Sequence, residues 1–198
     1  MKAHNKASAW FNKMYQENRE NQEKIPWARQ AVNPLLQSYL DEKKEHNGTA
    51  LVIGCGLGDD AYALALAGYK VTAIDVSESA LTQAQERFPQ SSIIFKKQDI
   101  FEYKERFDFV FEAFTIQSLP IEFREKMIEA VACRIAKAGA LLVVAHKEEH
   151  KFQGPPYPLV QDDIDQFKEY GLQEKSFEIH TEPSKISNSR FRVLYHSV

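Results

Sequence analysis

The stretch with the clearest chemical potential is a glycine-rich turn, VIGCGLGDD, which covers residues 52–60. Gly54, Gly56 and Gly58 follow the spacing G-x-G-x-G, and Asp59 and Asp60 come directly after them. Such a turn after a strand lets a ligand approach the backbone closely, with the N-terminus of the next helix pointing at it. The pattern predicts a binding site for a nucleotide-like cofactor.

The two carboxylates argue against a phosphate-containing ligand. The dinucleotide fingerprint would place its third glycine at position 59, where this chain has aspartate. A carboxylate about 4 Å from a phosphate charge costs roughly 4 kcal/mol at an effective dielectric constant of 20. S-adenosylmethionine has no phosphate, and its sulfonium and amino groups are positive. We therefore expect S-adenosylmethionine, and disfavour an NAD-dependent oxidoreductase.

Two further acids follow predicted strands. Asp75 ends the run KVTAID, and its two oxygens could accept hydrogen bonds from both ribose hydroxyls, each worth about 1.5–3 kcal/mol. A capping role for Asp75 is the weaker reading, because Ser77 already caps the helix that follows. Asp99 follows the third strand and could contact the adenine edge, or it could be only a turn residue.

The elements that must position these residues alternate from about residue 49 onward, which indicates a parallel sheet covered by helices. The predicted strands are TALVI, KVTAID, SIIFKK, FDFVFE and GALLVVA. Asp59 or Asp60 is expected to cap a helix that Gly68 ends, and Ser77 a helix that runs to Phe88. The run FREKMIEAVACRIAK predicts one long helix ended by Gly139, and DDIDQFKEY predicts a short one closed by Gly171.

The C-terminal tail breaks this alternation. LQEKSFEI and RFRVLYHSV are strand-like, and their connection HTEPSKISNS has no helical pattern, which predicts an antiparallel hairpin. The expected fold is therefore α/β: a Rossmann-like three-layer sandwich with a mostly parallel seven-stranded sheet. We expect one domain over 1–198, in which 1–48 form a helical lid or flank and 49–198 the α/β core that binds the cofactor.

The N-terminal flank has two local signals. Trp10, Phe11 and Met14 make one apolar patch, and Asn33-Pro34 predicts a helix N-cap followed by proline at the first helical position. Ordinary packing over a sheet edge and a lid over a ligand site are equally compatible with this composition.

Composition narrows the class of partner. The 198 residues carry 25 Lys and Arg against 28 Asp and Glu, a formal charge of −3 without a dense basic run, so nucleic acid is not expected. No apolar run approaches the roughly 18 residues of a membrane span, which predicts a cytoplasmic protein without a membrane partner. Cys55 and Cys133 lack the spacing of a metal or redox pair. We expect no metal, and a monomer.

The whole pattern resembles the class I S-adenosylmethionine-dependent methyltransferases, and within them the thiopurine, thiol and halide methyltransferase group. The resemblance rests on an apolar Val52 before the GCGxG core, Asp60, and the Asp75-Val76-Ser77 triplet. It continues in EAFTIQSLPIEFR, an acid followed by Leu-Pro and Arg, and in the GPP-aromatic segment QGPPYPLV. Two departures concern the substrate pocket: Met14 replaces a tryptophan, and the acid-aromatic pair reads Glu112-Ala113.

The resemblance implies methyl transfer to a small molecule, with a thiol or other soft nucleophile as the expected acceptor. Arg124 would stabilise the acceptor anion, or else be a solvated helix residue, and Tyr157 would line the acceptor pocket. Trp10 would close over the methionine moiety, or else belong to the core. The implied cofactor contacts are Trp10, Gly54, Cys55, Gly56, Gly58, Asp60, Asp75, Val76, Asp99, Ile100 and Glu112.

One alternative is rejected. Pro155-Pro156-Tyr157 is similar to the Pro-Pro-Tyr of nucleic-acid amino-methyltransferases, but it follows the fifth strand instead of the fourth and the chain lacks a basic groove. His146 and His150 lie beyond the fifth strand and are left outside the site. A non-catalytic S-adenosylmethionine-binding module and an O- or N-methyltransferase of a small metabolite both fit the residues.

Overall fold

The computed structural model describes residues 2–42, 45–149, 154–181 and 189–198, with backbone only for 2–7. Its strands form a seven-stranded, mostly parallel sheet with a C-terminal antiparallel hairpin, surrounded by helices, which confirms the predicted fold class. The helices are α1 (Lys2–Glu17), α2 (Pro34–Glu42), α3 (Asp59–Ala67), α4 (Glu78–Arg87), α5 (Arg124–Ala132) and α6 (Gln161–Asp165). The strands are β1 (Thr49–Ile53), β2 (Lys70–Asp75), β3 (Ile94–Lys97), β4 (Phe107–Ala113), β5 (Ile135–His146), β6 (Leu172–Thr181) and β7 (Ser189–Ser197).

The chain divides into two compact units, residues 1–102 and 103–198. In the first unit β2 lies between β1 and β3 and is parallel to both. The carboxyl ends of parallel strands share one edge of the sheet. The glycine turn after β1, Asp75 at the end of β2 and the segment after β3 therefore lie along the same edge of this unit.

In the second unit the strand order is β4-β5-β7-β6, with β5 parallel to β4 and antiparallel to β7. Val144 of β5 is in register with Ala113 of β4 and with Arg192 of β7. Because β7 runs antiparallel to β5, its first residues lie beside the last residues of β5. Arg190 is consequently the cross-strand neighbour of His146.

Most local signals produced the predicted elements. Asn33 caps α2 through its side-chain oxygen, which accepts the N–H of Leu35 at 3.0 Å, and Ser77 caps α4 by accepting from Ala80 at 3.1 Å. Gly68 and Gly171 both adopt the left-handed backbone that ends a helical segment, with φ of 113° and 78°. Part of the predicted hairpin connection, residues 182–188, lies outside the described residues.

Two predictions about helix boundaries were wrong. Neither Asp59 nor Asp60 caps α3. Gly58 occupies the N-cap position with φ 86°, and no side chain accepts a capping hydrogen bond there. The helix that was predicted to continue to Gly139 ends at Ala132, and Ile135 already pairs with Phe107 as the start of β5. Pairing with β4 and burial of Ile135 outweigh the helical spacing of the apolar residues. The register between β4 and β5 shifts just after Phe107.

Candidate functional site

The three loop glycines have different structural roles. All adopt positive φ, at 61° for Gly54, 52° for Gly56 and 86° for Gly58, a backbone that favours glycine. A Cβ at Gly56 would lie 2.7 Å from the Tyr15 hydroxyl, and one at Gly58 would lie 3.1 Å from Ala84. Gly54 is exposed at the end of β1, whereas Gly56 and Gly58 are buried. Gly54 is therefore the loop glycine that a ligand can approach.

Asp75 ties the loop to β2. Its Oδ2 accepts the N–H of Gly56 at 2.9 Å, and its Oδ1 accepts the N–H of Ser77 at 2.8 Å. Burial raises the pKa of this carboxyl, and the backbone donors oppose that rise. A carboxylate offers about four acceptor positions, so these backbone donors leave room for a hydroxyl group of a ligand. Asp75 thus both shapes the loop and presents a carboxylate next to it.

The two acids that follow the loop are held by other residues of the same unit. Asp59 forms a bidentate pair with Arg87, at 2.6 Å for both contacts. Asp60 accepts the backbone N–H of Asn33 at 2.7 Å, and burial raises its pKa to about 6. The assumption that both carboxylates face the ligand was therefore incomplete. Asp60 anchors the start of α2, and its cofactor contact stays a prediction.

Asp99 behaves locally as a turn residue, because its Oδ1 accepts the N–H of Phe101 at 3.0 Å. Ile100 is buried directly after it, and Val76 is half-buried between Asp75 and the Ser77 cap. Together with the buried Cys55, these residues line the same edge of the first unit as the glycine loop. Burial raises the pKa of the Cys55 thiol, so the thiol is neutral at physiological pH.

The N-terminal helix packs directly on this region. Asn12 Oδ1 accepts hydrogen bonds from Ser77 Oγ at 3.1 Å and from the N–H of Ser79 at 3.0 Å. The Tyr15 hydroxyl, the atom nearest to Gly56, accepts from Trp27 Nε1 at 2.7 Å. Helix α1 therefore braces both the loop and the start of α4.

Trp10 is less buried than a core residue. Its ring contacts those of Phe11 and Trp27, with centroids 5.0 and 5.4 Å apart, while 44% of its surface stays exposed. This position suits a side chain that covers a ligand. The sequence did not predict roles for Asn12 and Tyr15, because the residues that they contact, Ser77 and Gly56, are distant in the chain.

In the second unit, Glu112 near the end of β4 is fully buried. Its Oε1 accepts the N–H groups of Thr115 at 2.7 Å and Ile116 at 2.9 Å, and burial raises its pKa to about 7. Its Oε2 is also buried, and within the described part of the chain it has no hydrogen-bond partner. An unsatisfied buried carboxylate oxygen is a ready acceptor for an N–H or O–H of a ligand.

Arg124 is buried, which rules out the alternative of a solvated helix residue. It donates to Asp163 Oδ2 at 2.8 Å and to the carbonyls of Tyr157 at 2.7 Å and Pro158 at 3.3 Å. The carboxylate of Asp163 offsets the positive charge that was expected to act on the acceptor. The geometry thus makes Arg124 a support for the segment that carries Tyr157.

The Tyr157 segment is held by two hydrogen bonds and by close approach of the Tyr157 ring to Gly154. The N–H of Tyr157 donates to the carbonyl of Gln117 at 2.7 Å, and Arg124 binds its carbonyl. A Cβ at Gly154 would lie 2.6 Å from the Tyr157 ring, so glycine is required for the ring to lie where it does. Tyr157 is half-buried, and its contact with an acceptor stays a prediction.

His146, which the sequence analysis left outside the site, lies at the end of β5 with its ring 4.9 Å from that of Phe114. Phe114 has φ 63°, and the Arg190 guanidinium lies 5.7 Å from its ring centroid. Neither Phe114 nor Arg190 was found from the sequence, since nothing local marks a phenylalanine for the left-handed region. His150 lies outside the described residues.

These features fit S-adenosylmethionine. Gly54 and Asp75 of the first unit offer an open backbone and a carboxylate for the nucleoside part. No group of three or more metal-ligating side chains occurs among the described residues. Within the same residues, no helix has the length and apolar character to cross a membrane.

Comparison with known proteins also indicates a methyltransferase. Residues 12–189 match the family described as thiopurine S-methyltransferase. Thiocyanate methyltransferase 1 of Brassica oleracea is 27% identical over 179 residues, covering 84% of this chain and 79% of that protein. Thiocyanate methyltransferase 1 of Arabidopsis thaliana is 30% identical over 154 residues, covering 75% of this chain and 66% of that protein.

A solved structure agrees on the fold. Magnesium protoporphyrin IX methyltransferase from Synechocystis PCC 6803, crystallised with bound S-adenosylmethionine, superposes with a TM-score of 0.76 at 15% identity, covering 97% of each chain. The family match covers most of this chain and includes the glycine loop, Asp75, Glu112 and Arg124. The chain therefore belongs to the thiopurine S-methyltransferase family and is an S-adenosylmethionine-dependent methyltransferase.

Proposed function

We propose that the protein transfers the methyl group of S-adenosylmethionine to the sulfur of a small thiol-type acceptor. The observation that carries this proposal is the family match, whose similar proteins are named for thiocyanate, thiol and thiopurine substrates. S-adenosylmethionine would supply an electrophilic methyl group there: a new C–S bond to the acceptor thiolate would replace the methyl–sulfonium bond, whose electron pair would stay on the departing sulfur. The leaving group is a neutral thioether, so the protein needs no general acid.

The protein's contribution is alignment and exclusion of water. Asp75 is the proposed ligand of the ribose hydroxyls, next to the open backbone at Gly54. The remaining proposed cofactor contacts are Trp10, Cys55, Gly56, Gly58, Asp60, Val76, Asp99, Ile100 and Glu112. The orphaned Oε2 of Glu112 would accept one donor, and a cationic neighbour would favour its ionised form.

Tyr157 is the proposed contact to the acceptor, and Arg124 is a positioning residue that acts through it. Arg124 binds the carbonyls of Tyr157 and Pro158 and is itself fixed by Asp163. A displacement of about 1 Å in such a segment can lower the rate about a hundredfold. We also propose that the chain acts as a single domain and a monomer in which 1–48 cover the site.

The proposal is tested with an acceptor screen that follows release of S-adenosylhomocysteine. Thiols, thiopurines, thiocyanate, halides, selenite and tellurite form one arm, and phenols, amines and carboxylates of similar size form the other. Turnover confined to sulfur and other soft acceptors supports the proposal. Turnover confined to oxygen or nitrogen acceptors would replace it with the metabolite O- or N-methyltransferase alternative.

A further inference from the structure

The last residues of β5 exchange one hydrogen-bonding neighbour for another. Strand β4 pairs with β5 as far as Val144, whose carbonyl accepts the N–H of Phe114 at 2.9 Å. Phe114 then adopts the left-handed backbone, and the chain leaves β4 for the helical turn Ile116–Ser118. Beyond that point the carbonyl of His146 accepts the N–H of Leu159 at 2.8 Å. The segment that carries Leu159 therefore takes the place of β4 beside the end of β5.

The side chain of Gln117 spans the interval between these two neighbours. In a regular parallel ladder the N–H groups of alternate residues donate to the same neighbouring strand, so the N–H of His146 would bond the carbonyl of Phe114. It instead donates to Oε1 of Gln117 at 2.7 Å, and the next N–H in the series, that of Glu148, donates to the Leu159 carbonyl at 2.8 Å. The Gln117 amide thus replaces the main-chain acceptor that the turn at Phe114 removes from the ladder.

The main chain of Gln117 binds the Tyr157 segment directly. Its carbonyl accepts the N–H of Tyr157 at 2.7 Å. Leu159, two residues later in the same segment, is paired with the part of β5 that the Gln117 side chain holds. Gln117 is only 2% exposed, and hydrogen bonds shielded from water are stronger than exposed ones. A single buried residue therefore joins the end of β4, the end of β5 and the Tyr157 segment.

The turn that carries Gln117 is itself fixed from β4. Glu112 Oε1 accepts the N–H groups of Thr115 and Ile116 at 2.7 and 2.9 Å. The N–H of Ser118 donates to the Thr115 carbonyl at 3.0 Å, so Gln117 lies between residues whose main chain is already bonded. The position of Gln117 is therefore set by the strand that precedes it.

We propose that Gln117 is a positioning residue for methyl transfer, which places Tyr157 relative to the carboxyl ends of β4 and β5. These strand ends form the edge of an α/β sheet at which ligands bind. The inference rests on the proposed function, because Tyr157 is the proposed contact to the acceptor. The role needs a side-chain oxygen that accepts the N–H of His146, so removal of that oxygen should release the Tyr157 segment without unfolding the protein.

Hydrogen exchange of individual N–H groups, followed by NMR at pH 6 in the S-adenosylhomocysteine complex, tests the positioning role. Gln117→Met keeps the length of the side chain but offers only a weak acceptor. We expect exchange at Tyr157 and Leu159 to accelerate about tenfold, whereas exchange at Val193, in the middle of β7, should change less than about twofold. Gln117→Glu retains a side-chain oxygen for the N–H of His146 and should restore most of the protection.

The matched control is Gln166→Met, the same substitution at a half-buried position of the second unit, directly after α6. It should leave exchange at Tyr157 unchanged. An unchanged exchange rate at Tyr157 in Gln117→Met, equal acceleration at Val193, or no recovery of protection in Gln117→Glu would overturn the inference.

Steady-state kinetics with 4-nitrothiophenol as acceptor supply the functional readout. Gln117→Met should raise the KM for the acceptor about fivefold and leave the Kd of S-adenosylhomocysteine within about twofold, whereas mere loss of folded protein would lower kcat and leave KM unchanged. An unchanged KM overturns the inference, even if exchange is faster. If the unmodified protein methylates no sulfur acceptor, the proposed function fails, and the comparison is repeated with the oxygen or nitrogen acceptor that it does methylate.

Discussion

The acidic residues differ in what they bond, and this difference decides their function. Asp59 is neutralised by Arg87, and Asp60 is used to anchor Asn33. Asp75 keeps acceptor capacity beside the open end of β1, and Glu112 keeps one unsatisfied oxygen. Residue type and spacing identified Asp59, Asp60 and Asp75, and the family resemblance added Glu112, but only the hydrogen-bond partners show which of these acids remain available to a ligand.

The first prediction at this scale concerns Asp75. Asp75→Ala should weaken binding of S-adenosylhomocysteine by about 2–4 kcal/mol, because it removes two charge-assisted hydrogen bonds to the ribose and loosens the loop at Gly56. Titration calorimetry measures the change. Asp99→Ala is the comparison and should lose less, since Asp99 mainly closes a turn; an unchanged dissociation constant for Asp75→Ala would reduce Asp75 to a loop-shaping residue.

The second prediction uses the buried acid Glu112. Burial raises its pKa from 4.5 to about 7, so the folded protein holds this proton more tightly than the unfolded chain. The stabilisation that comes from the raised pKa of Glu112 is therefore fully present below pH 4.5 and is lost as the pH rises through about 7. Glu112→Gln should reduce the loss of unfolding free energy between pH 5 and pH 8 by about 2–3 kcal/mol.

This prediction is measured by chemical denaturation of the ligand-free protein. Some loss should persist in Glu112→Gln, because the pKa of Asp60 is also raised, from 3.8 to about 6. Glu125→Gln, at an exposed position on α5, serves as the control and should keep the full loss. Identical pH profiles for the unmodified protein and Glu112→Gln would contradict the assignment.

At the scale of elements, sequence signals succeeded where they were local. Each local signal makes its hydrogen bond within a few residues: Gly68 ends α3, Ser77 caps α4 and Asn33 caps α2. The first two strands and the helices that follow them were therefore predicted closely. The boundary between α5 and β5 was missed because pairing of Ile135 with Phe107 is a long-range contact. The positive φ of Phe114 was missed for the same reason, since its ring partners come from β5 and β7.

The third prediction concerns the joint between α5 and the Tyr157 segment. Arg124→Ala leaves the Asp163 carboxylate buried without its partner, which should cost about 3–5 kcal/mol of stability. The double variant Arg124→Met/Asp163→Asn should lose less, because no unpaired charge remains and the new amide oxygen could still accept the N–H of Val160, as the carboxylate does. Denaturant unfolding at neutral pH compares the two variants, and an equal or larger loss in the double variant would contradict this view.

Activity of the Arg124→Ala variant provides a separate, fourth prediction. If Arg124 acts by positioning, the fall in kcat should be constant from pH 6 to pH 10 and the affinity for S-adenosylhomocysteine unchanged. If instead it stabilises the acceptor anion, as the sequence analysis expected, the defect should shrink at pH values above the acceptor's own pKa. The pH profile with one thiol acceptor distinguishes the two roles.

At the scale of the whole molecule, the fifth prediction is that the chain unfolds as one domain. Two compact units are distinguishable. Within the first unit, Asn12 accepts a hydrogen bond from Ser77, and the N–H of Asn33 donates to Asp60. We expect one thermal transition, monitored by both far-UV and near-UV circular dichroism. S-adenosylhomocysteine at about 100 times its Kd should stabilise the protein by about 2.7 kcal/mol, and NAD⁺ should not. Two separate transitions would contradict the single-domain proposal.

The most direct test of the central claim follows the methyl group itself. The protein is incubated with S-adenosylmethionine that carries a deuterated methyl group and with a small thiol, and both products are analysed by mass spectrometry. We expect an S-methyl thioether that contains the complete deuterated methyl group, formed in equal amount with S-adenosylhomocysteine. Transfer to oxygen or nitrogen alone, or S-adenosylhomocysteine formed without a methylated acceptor, would contradict it.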